Sequence, residues 1–176
     1  MLFLYKKGYR NFVFFVHSNS ILSKARCNFV DSTSPKYQFA ERIIVDGRLV
    51  NVVECNSFDD ASPDDINIVF RSLQKIRTDA GTTKEFSLSP GEMYGRKTCL
   101  ISDEAHHLNV STKNRKKATL DENGELESRS WESCVSDMFE PFPDNVLLEF
   151  TATLDESNAD VRNKYSGKVL YDYSLK

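Results

Sequence analysis

The residues best suited to chemistry lie at the end of an apolar run, in the segment Leu100–His107. Two adjacent carboxylates, Asp103 and Glu104, end this run, and His106 follows the second of them. Nucleotide hydrolases use such a pair, because one carboxylate holds a hydrated Mg²⁺ and its neighbour orients or deprotonates the attacking water. The pattern favours metal-assisted nucleotide hydrolysis, against the alternative of an acidic surface turn.

The position of this acid pair depends on the element before it. Thr98–Ile101 has the composition of a short buried strand. In open α/β sheets, ligands bind beyond the carboxyl ends of the strands. If Thr98–Ile101 is a central strand, both Asp103 and Glu104 lie at that edge.

A second candidate motif is the turn Thr151–Thr153, which follows a predicted strand over Val146–Phe150. It offers two hydroxyl groups on either side of a small residue. Such a turn can accept a hydrogen bond from the acid motif and change partner when nucleotide is lost. The alternative is that Thr153 simply caps the next helix.

A third candidate, His17–Asn19, ends the first predicted strand, Asn11–Val16. Polar groups and a helix N-terminus at that sheet edge suit a nucleic-acid phosphate. Capping of the following helix by Ser18 or Asn19 is an equally good explanation.

Two other patterns do not qualify as sites. Gly95–Thr98 lacks the spacing of a phosphate-binding loop, and it precedes a strand instead of following one. His106 and His107 are adjacent, so they point in different directions, and the cysteines are distant in sequence, which argues against zinc. One of these histidines is better interpreted as a polar coupler between the nucleotide site and the next motif, and the other as structural.

The composition limits the classes of protein to which this chain can belong. The chain has 176 residues, 40% apolar and 28% charged, as expected of one soluble globular domain. The four cysteines form no Cys-x-x-Cys pair, and no apolar run reaches the length of a membrane span, so we expect a cytoplasmic protein with no membrane partner. The net charge of −3 excludes DNA binding by bulk charge, although residues 1–50 are basic and either face phosphate or form a solvated surface.

Strands alternate with helices along the chain, which predicts an α/β fold with a mostly parallel sheet flanked by helices. Asp46-Gly47 predicts a small β-hairpin insertion within Arg42–Val53. A charged, mobile loop is expected over 110–127. The predicted strands are Asn11–Val16, Ile66–Phe70, Thr98–Ile101, Val146–Phe150 and Lys168–Tyr173; the predicted helices are 1–7, the segment after Ser18 or Asn19, the segment containing Trp131–Phe139, Asn158–Tyr165 and a helical turn at Ser72–Gln74.

Together these motifs resemble the first motor domain of superfamily-two helicase-like ATPases. Asp103–His106 resembles their Walker B, or DEAH, motif, and Thr151–Thr153 resembles motif III. Closer still, the chain resembles the Res subunit of type III restriction enzymes. The supporting runs are Phe14–Leu22, Ile101–Asn109, Leu147–Asp155, and Lys164-Tyr165 with Tyr171–Tyr173.

The resemblance implies an incomplete RecA-like P-loop NTPase domain over 1–176, with ATP and Mg²⁺ as cofactors. It implies that Asp103 holds Mg²⁺ through water and that Glu104 orients the hydrolytic water. It further implies double-stranded DNA and a modification (methyltransferase) subunit as partners, in a restriction endonuclease that couples ATP hydrolysis to DNA movement and cleavage. The implied coupling residues are His106, Thr151 and Thr153, and the implied DNA contacts are His17, Ser18, Asn19, Ser72 and Gln74.

The family's phosphate-binding Walker A loop, its second motor domain and its nuclease domain are not found in the sequence. We therefore expect no ATPase activity from the isolated chain. A neighbouring interpretation is a helicase or remodeller with no nuclease. The alternative from another class is a non-catalytic DNA-binding or broken-gene fragment of a helicase.

Overall fold

The computed structural model describes residues 1–59, 61–72, 75, 95–105, 131–154 and 157–173. The predicted loop 110–127 and two predicted site residues, Gln74 and His106, lie outside this part of the chain. The strands are β1 (Asn11–Val16), β2 (Ile43–Val45), β3 (Arg48–Val50), β4 (Val52–Glu54), β5 (Ile66–Ser72), β6 (Thr98–Ser102) and β7 (Val146–Glu149). The helices are α1 (Leu2–Lys6), α2 (Asn19–Phe29), α3 (Trp131–Phe139) and α4 (Ala159–Tyr165).

Within the described residues, five strands form one parallel sheet in the order β4-β5-β1-β6-β7. β1 lies at its centre, and Phe12–Val16 are all buried. A strand this apolar on both sides needs cover on both faces, as parallel sheets have. The predicted α/β class with a mostly parallel sheet is confirmed.

Alternate residues of the central strands supply two separate cores. The α2 core contains Phe12, Phe14 and Val16 with Leu22 and Ala25 of α2. On the other face, the α3 core is a buried cluster of residues from β1, β5, β6 and α3, with Phe58 and Ala105. Its members are Val13, Phe15, Phe58, Val69, Leu100, Ala105, Cys134, Val135 and Met138.

The predicted hairpin is confirmed in β2 and β3, which pair antiparallel. Asp46 and Gly47 form its two-residue loop with φ angles of 50° and 80°, which is the left-handed conformation that this tight turn requires. The hairpin is shorter than predicted, because β4 leaves it and pairs parallel with β5 at the edge of the main sheet.

The connection from β4 to β5 contains no helix among its described residues. It is fastened by the buried side chain of Asn67, whose Oδ1 accepts the Ser62 N–H at 2.9 Å while its Nδ2 donates to the Ser62 carbonyl at 2.7 Å. A buried amide can satisfy both backbone groups at once, so this crossover is fixed without a helix.

One predicted strand was wrong. Lys168–Tyr173 forms no strand, and its apolar side chains are exposed; a strand needs a neighbour for its backbone groups, and none pairs with it in the described part of the chain. Ser72 is the last residue of β5, because its register beside Val16 extends the ladder by two residues. The Lys75 N–H donates to Ser72 Oγ at 3.3 Å, and Leu73 and Gln74, the rest of the predicted helical turn, lie outside the described residues.

Candidate functional site

The carboxyl ends of the parallel strands bring most of the predicted site residues to one edge of the sheet. The register places Ser72 beside Val16, Ser102 beside Phe15, and Glu149 beside Ser102. The residues that follow these strands therefore leave the sheet at the same level. This edge carries His17–Asn19, Asp103-Glu104 and Thr151–Thr153, at strand ends as the sequence predicted. It also carries Ser72, the last residue of β5.

The acid turn, Asp103–Ala105, is fastened to the centre of the sheet. The Asp103 N–H donates to the Phe15 carbonyl at 3.2 Å, and the Glu104 N–H donates to Asp103 Oδ1 at 3.0 Å. Both acids are half-buried. Glu104 has a φ of 55°, a left-handed conformation that costs an L-residue about 1–2 kcal/mol. The surrounding contacts therefore hold the backbone here against its own preference.

The acid turn is also joined to the exit of β7. The Ala105 N–H donates to the Phe150 carbonyl at 2.9 Å, and the Phe150 N–H donates to the Ser102 carbonyl at 2.8 Å. Ala105 itself is fully buried in the α3 core. A displacement of the acid turn would therefore also displace Phe150, the residue immediately before the hydroxyl turn.

The hydroxyl turn, Thr151–Thr153, is exposed and closed by its own side chain. Thr151 Oγ1 donates to the Thr153 carbonyl at 3.0 Å and accepts the Thr153 N–H at 3.2 Å. The alternative that Thr153 caps the next helix is not supported, because Asn158 Oδ1 accepts the Val161 N–H in the first turn of α4.

The start of α2 presents polar groups at the same edge. His17 and Asn19 are exposed, and Ser18 occupies the cap position without making a side-chain cap bond. The Ser18 hydroxyl instead lies 3.0 Å from that of Ser20. The Ser18 side chain therefore does not cap α2, and the helix N-terminus is accessible from solvent.

Gly95–Thr98 lies away from this edge, at the amino end of β6, and its cations are bound elsewhere. Lys97 Nζ donates to the Lys7 carbonyl at 3.1 Å and lies over the Tyr9 ring. Arg96 donates to the Phe58 carbonyl and to Asp59. The exclusion of a phosphate loop here agrees with the structure.

Comparison with known proteins decides the family. Residues 1–156 match the family described as "Type III restriction enzyme, res subunit". The chain belongs to the type III restriction enzyme Res subunit family. It is 36% identical, over its whole length, to the "Probable type III restriction-modification enzyme HindVIP Res subunit" of Haemophilus influenzae (strain ATCC 51907 / DSM 11121 / KW20 / Rd), and it spans 36% of the length of that relative. No solved structure matches the chain.

Three charged residues of this Res-family chain lie at the site edge without having been predicted. Arg71, on β5, is 9% exposed and donates to the Phe70 and Asn56 carbonyls. Glu149, the last residue of β7, is paired with Lys164 of α4 at 3.1 Å. The sequence did contain a signal for two of these residues, because Arg71 and Glu149 are single charges inside apolar strands.

Burial and pairing both act on Lys164. Burial alone would lower the pKa of this ammonium group, but attraction to Glu149 and the contact with Tyr165 outweigh it, so the pKa is raised. The pair joins the end of β7 to α4, across the hydroxyl turn that lies between them in sequence. It therefore anchors the chain on both sides of that turn.

The donor set fits magnesium better than zinc. Asp103 and Glu104 supply hard carboxylate oxygens, which suit Mg²⁺ bound through retained water. No cluster of three or more His, Cys, Asp or Glu residues that could hold a metal occurs in the part of the chain that the structure describes.

No helix among the described residues is long and apolar enough to cross a membrane.

Proposed function

We propose that this chain forms the part of an ATP-driven DNA translocase that carries the hydrolytic acids and the coupling turn. The protein in which it works is the restriction subunit of a type III system. The observation that supports this most is the hydrogen bond from the Ala105 N–H to the Phe150 carbonyl, because it joins the acid turn to the hydroxyl turn through one residue.

Asp103 and Glu104 divide the hydrolytic work in this proposal. Asp103 holds Mg²⁺ through water, and Glu104 orients the attacking water. When bound, the magnesium ion neutralises charge on the nucleotide phosphates. The hydrogen bonds to Phe15 and Phe150 preorganise the backbone of both acids, so little reorganisation is needed at the moment of reaction.

Coupling to DNA uses the neighbouring groups at the same edge. Thr151, Thr153 and His106 report the nucleotide state, and Thr151 exchanges its present internal bonds for others when that state changes. The α2 N-terminus contacts the DNA backbone through His17, Ser18 and Asn19, and Ser72 and Gln74 extend this contact. Double-stranded DNA and a modification subunit are the proposed partners; the relative's name, which describes a restriction-modification Res subunit, supports that assignment.

The test uses the complete Res subunit that contains this sequence, assembled with its modification subunit. Glu104→Gln is compared with Glu41→Gln, which removes an exposed carboxylate far from the acid turn in sequence. We expect Glu104→Gln to lower DNA-stimulated ATP hydrolysis by about 100-fold or more while DNA binding is retained. Hydrolysis at the unmodified rate would refute the proposal.

A second candidate is a DNA-binding module with no hydrolysis of its own, and the accessible start of α2 favours it. It predicts that the purified chain binds duplex DNA with an affinity that falls as salt rises. It also predicts no Mg-ATP turnover by the chain alone. Turnover that Glu104→Gln abolishes would exclude this candidate.

A further inference from the structure

Glu104 has a backbone conformation that must be maintained by its surroundings. Its φ of 55° is rare for a residue with a Cβ atom and persists where neighbouring contacts hold it. The backbone bonds of the acid turn are one such set of contacts. The other is the burial of Ala105, the next residue, in the α3 core.

Phe58 is the member of the α3 core that comes from the β4–β5 connection. Its side chain is 1% exposed, in the same buried cluster as Phe15 and Ala105. Among its described residues this connection has no helix, so besides the bond from the Cys55 N–H to the Ile68 carbonyl at 3.0 Å, side chains from elsewhere must reach it to hold Phe58 in position. Two arginines do so: Arg96 donates to the Phe58 carbonyl, and Arg71 donates to the Asn56 carbonyl.

Arg71 lies at the level of the acid turn. In the sheet register it is beside Phe15, and Phe15 is beside Ser102, the residue that precedes Asp103. Equivalent positions of parallel neighbours point to the same face, so Arg71 and Ser102 both project toward the α3 core. A guanidinium group in this buried strand is costly unless its hydrogen bonds are made, whereas an apolar side chain would fill the same place at no such cost.

We infer that Arg71 is a positioning residue for the acid turn. By binding the Asn56 carbonyl, Arg71 fixes the backbone that leads to Phe58, two residues further on. Phe58 belongs to the buried cluster around Ala105. The burial of Ala105 in turn keeps Glu104 in its left-handed conformation. The importance of that geometry for hydrolysis rests on the proposed function, whereas the mechanical link from Arg71 to Glu104 does not.

The test is a comparison of two substitutions at Glu104 in two backgrounds. Glycine tolerates a left-handed φ and alanine does not, so the ratio of the unfolding equilibrium constants of Glu104→Ala and Glu104→Gly measures how firmly that conformation is enforced. With Arg71 present we expect a ratio of roughly 5 to 30 in favour of glycine. In the Arg71→Met background we expect the ratio to fall toward 1, because the turn is released to adopt an ordinary φ.

Arg42→Met is the matched control, since Arg42 is exposed, and we expect it to leave the ratio unchanged. Equal ratios in the Arg71 and Arg71→Met backgrounds would overturn the inference and make Arg71 a general stability residue. A ratio near 1 with Arg71 present would also overturn it. If Arg71→Met does not fold, Arg71→Lys, which keeps the charge but loses the planar fork, takes its place.

Hydrogen exchange provides an independent readout on the folded chain. We expect the Ala105 amide to exchange at least about tenfold faster in Arg71→Lys, while the amides of β1 keep their protection. Unchanged protection at Ala105 would contradict the inference. Neither measurement requires ATP or DNA, so this inference and the proposed function can fail separately.

Discussion

The Ala105 N–H lies 2.9 Å from the carbonyl oxygen of Phe150 and donates to it. One hydrogen bond thus connects the turn that carries both acids with the strand exit that leads to the hydroxyl turn. Because it is made by the backbone, it depends on where the two segments lie and not on the identity of their side chains. This hydrogen bond therefore restricts how far the acid pair and the threonines can move relative to each other.

The packing around Ala105 gives the first prediction. Ala105→Leu adds three carbons to a fully buried position in the α3 core, so we expect it to lower the free energy of unfolding by about 1–3 kcal/mol. Ala152→Leu makes the same change at an exposed position in the hydroxyl turn and should cost less than about 0.5 kcal/mol. Denaturant titration of both variants measures the difference. Equal effects would mean that Ala105 is not tightly packed.

The start of α2 gives a prediction with opposite effects on stability and binding. The first turn of this helix contains no acidic residue, so Asn19→Asp should stabilise the chain by about 0.3–1 kcal/mol through the helix dipole. The same charge should weaken DNA binding at low salt, because it lies where a phosphate is proposed. Thermal unfolding and a DNA titration measure the two effects.

Asn28→Asp is the control, since it introduces the same charge near the other end of α2. There the dipole disfavours an anion, so stability should fall slightly while DNA affinity changes little. If both substitutions weaken DNA binding equally, the helix start is not a specific contact.

The Glu149–Lys164 pair gives a pH prediction. The pKa of Lys164 is raised above its ordinary value of 10.5, so its stabilising contribution is complete below pH 10.5 and is lost as the pH rises through the higher native value. We expect the free energy of unfolding to fall more steeply above pH 10.5 in the unmodified chain than in Lys164→Met. Parallel curves for the two chains would show that the pair contributes nothing in this range.

The four cysteines should differ in reactivity in the folded chain. Cys27 is exposed, Cys55 is half-buried, and Cys99 and Cys134 are buried. Burial raises the pKa of the Cys99 thiol to about 12, so almost no thiolate is present at pH 8. We expect iodoacetamide to label Cys27 first and Cys99 only after denaturation, as measured by peptide mass spectrometry. Rapid labelling of native Cys99 would contradict the buried position of β6.

The sequence alone predicted an element correctly where the pattern of that element's own residues specifies its structure. The run Asn11–Val16 is apolar at successive positions, and only a strand covered on both faces accommodates it. Asp46-Gly47 supplies two residues that tolerate left-handed backbone, so the hairpin turn could be located by residue type. The acids after β6 and the hydroxyls after β7 were found for the same reason, because each follows an apolar strand directly.

Elements that depend on a distant neighbour could not be predicted. Lys168–Tyr173 has a strand-like composition, but β structure requires a partner for its backbone groups, and the described residues offer none. β4 was assigned to the hairpin, although its hydrogen bonds are made with β5. Arg71 was overlooked because its role arises from Asn56, which is remote in sequence and is brought to it by the crossover.

The sequence by itself determined the class of fold, the family and the candidate site residues that follow β1, β6 and β7, because periodicity, turn chemistry and motif order are properties of short segments. Only the tertiary structure decided that those strand ends lie side by side, that Ala105 and Phe150 share a hydrogen bond, and that Glu104 is held left-handed. The physical reason is that hydrogen bonds between strands and the packing of a buried core join residues far apart in the chain, and their geometry exists only once the sheet has formed.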